Sequence, residues 1–300
     1  MKFYGILILF ILTWASNTST AEAHAVTALA RGTIAVLDLG ETEAGRRAAD
    51  ELSAALAETA HFDLVNRAQS RAAARGVGYA GSLNLTLAEA RDLGGAIGCD
   101  FYVMGEAQTL RRTSSTAHPD YFESYAVIFL VSTQTGKLLL WEQLSHTAAT
   151  PGEAEKLLLA ELRRRAPRYG ELITKAWEAE RAARHSARKA DEFADVPEEG
   201  SSDAKNFRAP LPYRSLRPVY PDTAARMEAE ATVDALVGVD AAGKVKDIEI
   251  VRWAGYGLND AVIAVVRQLH FRPALRDGQP VPIRVLLRYN FRRPARESER

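Results

Sequence analysis

Residues 269–291 read LHFRPALRDGQPVPIRVLLRYNF, and they decide how the carboxy-terminal part of the chain folds. Phe271 is followed by Arg272-Pro273-Ala274, then by a charged turn with Gly278, then by a run of strand-forming residues. In that run Val281, Ile283, Val285, Leu287, Tyr289 and Phe291 alternate with Pro282, Arg284, Leu286, Arg288 and Asn290. That is the two-residue period of a strand, apolar on one side and basic on the other. Just upstream, Leu258, Ala261, Val262, Val265, Val266 and Leu269 fall at helical spacing and form one apolar stripe. Before them, Val233, Ala235, Val237 and Val239 alternate with Asp234, Leu236, Gly238 and Asp240, and DAAGKV (240–245) turns the chain into KDIEIVRW (246–253). The pattern predicts β-β-α-β, one sheet face covered by one helix.

The amino-terminal half reads differently. GTIAVLDLG (32–40) suits a buried strand, and Ala48, Leu52, Ala55, Leu56 and Ala60 recur at helical spacing after it. HFDLVNR (61–67) is a second short strand, and TLAEARDLGGAIG (86–98) is a helix opened by a capping box at Thr86 and Glu89 and stopped at Gly94-Gly95. CDFYVMGEAQTL (99–110) is a third strand, and ESYAVIFLVSTQTGKLLLWEQ (123–143) is a hairpin turning at Thr135-Gly136. The expected class is thus an α/β domain with a mixed sheet and packed helices over 30–150, joined to an α+β domain. Between them, 151–216 reads as a helical stretch that Pro167 breaks or kinks, a solvated extension past Trp177, and a linker rich in proline, glycine, serine and charge. Residues 293–300 read as a disordered tail.

Lysine plus arginine equals aspartate plus glutamate at 38 each in 300 residues, which argues against nucleic acid as a partner. Residues 1–25 have a basic start at Lys2, an apolar core from Phe3 to Ala15, and the small-x-small site Ala23-His24-Ala25, the features of a secretory signal. The apolar core is shorter than the roughly 20 residues that cross a bilayer. The expected location is the periplasm, with inner-membrane association only if the signal stays uncleaved. Cys99 is the single cysteine and is read as packing. GVGYAG (76–81) fits the G-x-G-x-x-G spacing, but no apolar strand feeds it and no helix receives it, so it is read as a turn. The histidines are scattered with no pair at zinc spacing, and no serine or cysteine stands in a nucleophile context. Glu249 and Asp260 sit where a solvated strand face and a helix start would place them. The residues therefore point to a non-enzyme with no metal and no cofactor.

Residues 217–292 resemble the carboxy-terminal domain of TonB-family proteins. The resemblance rests on Tyr220-Pro221, the strand reaching Val239, Gly243-Lys244-Val245, the helix from Leu258 to Leu269, Phe271-Arg272-Pro273-Ala274, Gly278 and the closing strand to Phe291. Ala231 departs from the family, which usually has glycine before the first strand. The amino-terminal domain is similar to the envelope α/β domains of the curli secretion protein CsgG and the TolB amino-terminal region, in IAVLDLG, FDLVNR, LAEARDLGGAIGCDFYVMGEA and the turn at Gly136-Lys137. Those proteins are often lipid-anchored, and no lipobox cysteine is present here.

The TonB resemblance implies a closing strand that lies at a sheet edge and pairs with an extended segment of an outer-membrane transporter. Carried over, the partner-binding residues are Ile283, Arg284, Val285, Leu286, Leu287, Arg288, Tyr289, Asn290 and Phe291. Tyr220 and Pro221 are either a contact surface or a staple that docks the linker. Nine arginines fall between Arg267 and Arg300 against three acids, so this end either attracts an acidic peptide or keeps an edge soluble. The implied function is a periplasmic adaptor that captures a protein or peptide by strand addition. The alternatives are an inner-membrane-anchored energy transducer for TonB-dependent transport and a scaffold in envelope assembly or secretion.

Overall fold

Strand β1 (Thr33–Leu39) sends Ile34, Val36 and Leu39 into one hydrophobic core and Ala35 and Leu37 into another. A strand buried on both faces needs a near-continuous apolar run, which TIAVLDL supplies. The computed structural model describes residues 32–59, 62–113, 120–185, 193–198, 200–201 and 204–293. The stretch read as a signal, residues 1–25, lies outside them, as do residues 294–300 of the stretch 293–300 read as a tail.

After β1 come α1 (Glu43–Glu58), β2 (Asp63–Leu64), α2 (Arg67–Gly76), β3 (Leu85–Thr86), α3 (Leu87–Ile97), β4 (Phe101–Arg112), β5 (Tyr121–Ser132), β6 (Leu138–Ala148) and α4 (Pro151–His185). The remainder holds β7 (Phe207–Arg208), β8 (Leu211–Pro212), α5 (Asp222–Arg226), β9 (Ala231–Val239), β10 (Val245–Trp253), α6 (Leu258–Val266), β11 (Phe271–Arg272), β12 (Ala274–Arg276), β13 (Gln279–Val281) and β14 (Ile283–Phe291). The expected class, α/β followed by a β-β-α-β unit, is what forms.

Five strands make one sheet in the order β2-β1-β4-β5-β6, parallel among β2, β1 and β4 and antiparallel beyond. Helices α1 and α4 cover one face through Leu52, Leu56, Leu158, Leu162 and Ile173. The other face, with Tyr102, Met104, Val127, Phe129 and Val131, is covered by α3 and by the carboxy-terminal unit. There β14, β9, β10 and β3 form a second sheet in that order. Its Val233, Ala235, Val237 and Val239 pack with Leu258, Val262 and Val266 of α6 in the same core as the first sheet's second face.

Local readings hold in part. Thr86 and Glu89 make the reciprocal capping box. The helix they open does not stop at Gly94-Gly95, however; it runs on to Ile97 and ends at Gly98 in the left-handed region, φ +78°. Gly94 serves close packing instead, because a Cβ there would lie 2.1 Å from Thr133 Oγ1. Pro167 does not divide α4, whose Leu158, Leu162, Ala166, Tyr169 and Ile173 are all buried against the sheet on either side of it. That packing outweighs the hydrogen bond proline removes. HFDLVNR keeps only Asp63–Leu64 as strand, since Asn66 accepts from the amides of Ala68 and Gln69 and caps α2 at once. The stretch read as a linker supplies β7 and β8, which pair with β12 and β11.

The two sheets are joined at a few named contacts. Trp253 at the end of β10 is 1% exposed, donates its indole N–H to Gly136 O at 2.9 Å, and stacks on Phe129 of β5 with ring centroids 5.9 Å apart. Gly255 lets β10's continuation approach Phe129, where a Cβ would come within 2.6 Å. Asn84, just before β3, mimics a strand: its amide nitrogen donates to Thr232 O and Trp253 O, and its oxygen accepts from Thr232 N. Trp253→Phe keeps an aromatic ring but removes the indole N–H and leaves the buried Gly136 carbonyl without its donor, with an expected loss of about 1–3 kcal/mol of unfolding free energy. Urea denaturation followed at Trp177, which lines the α1/α4 core, checks this; an unchanged midpoint would mean that the two sheets are not coupled there.

Candidate functional site: the outer edge of the closing strand

β14 ends its sheet and is hydrogen-bonded to β9 over its whole length, from Ile283 opposite Val239 to Phe291 opposite Ala231. The pairing is antiparallel, so alternate residues turn their backbone groups to the neighbour and away from it. Arg284 N donates outward, to Ala194 O at 2.8 Å, which fixes the phase: even-numbered residues point their N–H and C=O away from β9. Among the described residues, no strand pairs with the outward groups of Leu286, Arg288 and Asn290. They form a row of donors and acceptors about 17 Å long, at about 3.4 Å per residue.

Side chains follow the same alternation. Val285, Leu287 and Tyr289 are half-buried toward the α6 side, with Ile283 and Phe291 buried at the two ends. On the other face Leu286 is 55% exposed, and Asn290 lies opposite Thr232, whose hydroxyl approaches the Asn290 amide oxygen at 2.8 Å. Arg288 is held within the sheet: it donates twice to Asp234, directly across on β9, at 2.7 and 2.9 Å. Arg252 approaches the same carboxylate at 3.5 Å and Glu89 at 3.5 Å, tying the outer face to α3. Of the basic face read from the sequence, Arg288 is thus part of a cross-strand ion-pair network around Asp234 that also includes Arg252.

Tyr220 packs on Phe291, with centroids 6.1 Å apart, and its hydroxyl donates to Ala229 O at 2.7 Å. Pro221 precedes α5 and lies against Gly257. Both residues fasten the approach to β9 at the far end of β14. Two features had no sequence signal: the contact of Ala194 with the edge, and β3, a two-residue strand from the amino-terminal half that extends the sheet on the β10 side.

The GVGYAG turn follows the carboxy end of α2, with Gly78 and Gly81 at positive φ. Cys99 is buried, and burial pushes its thiol up to about 11. Among the described residues there is no group of His, Cys, Asp or Glu arranged to hold a metal, and no helix is long and apolar enough to cross a membrane.

Residues 217–292 match the family described as Gram-negative bacterial TonB protein C-terminal. This segment is a TonB C-terminal domain. Domains of that kind bind proteins or peptides, in a family associated with the cell envelope. No curated protein matches the chain. Among solved structures, the TonB C-terminal domain of Pseudomonas aeruginosa is 21% identical, with 37% of this chain and 100% of that one covered and a TM-score of 0.26. The hypothetical protein CT253 of Chlamydia trachomatis is 13% identical, covering 47% and 98%, TM-score 0.33. The LpoB C-terminal domain of Salmonella enterica is 19% identical, covering 39% and 84%, TM-score 0.27.

The Arg288 hydrogen bonds hold the Asp234 carboxyl below its ordinary range, against the opposing effect of its burial. A carboxyl with a depressed folded pKa contributes stability that is complete above its unfolded value, about 3.9, and is lost as pH falls through the folded value. Arg288→Gln is thus expected to be less stable than the unaltered chain near pH 7, with the gap shrinking as pH drops below about 4. Urea midpoints across that range measure it, and a gap that stays constant with pH would exclude the ion pair as its source.

Proposed function

We propose that the chain is a periplasmic adaptor of the TonB C-terminal type that captures an extended segment of an envelope protein by adding it as a strand to β14. The observation that carries this reading is the outward row of backbone groups on Leu286, Arg288 and Asn290. Main-chain hydrogen bonds would supply affinity, and the alternating side-chain positions would supply selection. An outer-membrane TonB-dependent transporter is the partner class that the domain family suggests. Selection rests on Leu286 and on the half-buried Val285, Leu287 and Tyr289 more than on charge, because Arg288 is bonded to Asp234. The activity proposed is binding, with no reaction catalysed.

Leu286→Pro separates edge pairing from general surface contact. Proline is tolerated on an edge strand where its missing N–H faces solvent, and Leu286 N faces outward while the ladder to β9 uses the odd residues. The variant is expected to fold with an unchanged circular dichroism spectrum. A photo-crosslinker at Asn290 should trap a discrete envelope partner in intact cells with the unaltered chain, and lose that adduct by about tenfold or more with Leu286→Pro, as each missing 1.4 kcal/mol costs a factor of ten. An adduct of equal yield in the two would exclude strand addition.

A further inference from the structure

The edge of β14 is already occupied at one end. Ala194 lies parallel to Ile283: its amide donates to Pro282 O at 3.4 Å and its carbonyl accepts from Arg284 N at 2.8 Å. One residue earlier, Phe193 is 9% exposed, and its ring rests over Gly238 of β9, where a Cβ would fall 2.9 Å from two ring carbons. Gly238 lies in the interior of a strand, a place where glycine marks the close approach of another group. It is paired with Arg284, so the ring and the Ala194 hydrogen bond act at the same position along the edge. Beyond this anchor Ala194, Asp195 and Val196 are exposed.

We propose that Phe193–Val196 is a resident stand-in for a partner strand. Resting on the strand-addition reading of β14, this makes the edge self-competing. Segments that pair only with Leu286–Asn290 bind freely, whereas any segment that continues to Ile283 needs Pro282 O and Arg284 N and must lift Phe193 from Gly238. The two occupants use the same backbone groups, so their binding is mutually exclusive and reciprocal. The seat over Gly238 also selects an aromatic side chain in whatever segment replaces the strap.

Hydrogen exchange on the full chain tests the strap directly. The Arg284 amide is expected to be protected relative to Leu286, and to exchange about tenfold faster in Phe193→Ala. Gly238→Ala, which fills the seat with a methyl group, should have the same effect, while the Val237 amide in the core reports that the sheet is intact in both. A labelled peptide FADVPE, the sequence of residues 193–198, is expected to bind Phe193→Ala at least about tenfold more tightly than the unaltered chain or Gly238→Ala, because only there is an intact seat vacant. Arg284 exchanging as fast as Leu286 in the unaltered chain, or equal peptide binding by all three proteins, would overturn the proposal. Those results would leave the Asn290 adduct in place. Conversely, losing the adduct's dependence on Leu286 while Arg284 stays protected would remove the strand-addition reading and keep the strap.

Discussion

A strand bonded along one side only presents half of its peptide groups to whatever lies beyond it, and the candidate site depends on β14 being in that state. An unpaired row of this kind is usually blunted, since it invites pairing with any extended chain. Parts of the other borders of the two sheets are in contact with the rest of the chain. β3 closes the end of β10 through Arg252 and Trp253, and β6, the last strand of the first sheet, meets the carboxy-terminal unit where Lys137 bridges Glu249 at 2.7 Å and Gln143 reaches Met227. β14 has Ala194 at one end and, among the described residues, no strand along the rest.

The core explains why the TonB C-terminal domain cannot be treated as an appendage. Its α6-facing residues and the second face of the amino-terminal sheet share a single hydrophobic cluster, in which Trp253, Phe129, Trp141 and Tyr256 are in ring contact. Fully burying a side chain of this size contributes about 1.5–3 kcal/mol, so separating the halves would expose several such contributions at once. The amino-terminal sheet therefore acts as a platform on which the carboxy-terminal sheet packs, with Trp253 of β10 bridging to β5 and to the turn before β6.

The strands and helices were legible wherever one period dominated. Val233 to Val239, Leu258 to Leu269 and Val281 to Phe291 each show a single apolar face, and each forms the predicted type of element, though the helix ends at Val266 and the closing strand starts at Ile283. What misled were residues whose local preference is overruled by packing. Pro167 sits inside a continuous helix because the helix is pinned on both sides of it, and Gly94 is small because Thr133 is close, with no bearing on where α3 ends. The site was legible as a strand with two faces, but its charge was not: that Arg288 meets Asp234 depends on the register between β14 and β9, set by the turn geometry of more than forty intervening residues. The strap at Phe193 has no periodicity at all, and only Gly238, a glycine inside β9, marks where it lands.

Residue-resolved amide exchange on the free protein reads the open edge of β14. Protection is expected to alternate along the strand: slow exchange at Val285, Leu287 and Tyr289, whose amides bond to β9, and fast exchange at Leu286, Arg288 and Asn290. Uniform protection across all six would mean that the outer row is already filled and that no strand can be added there.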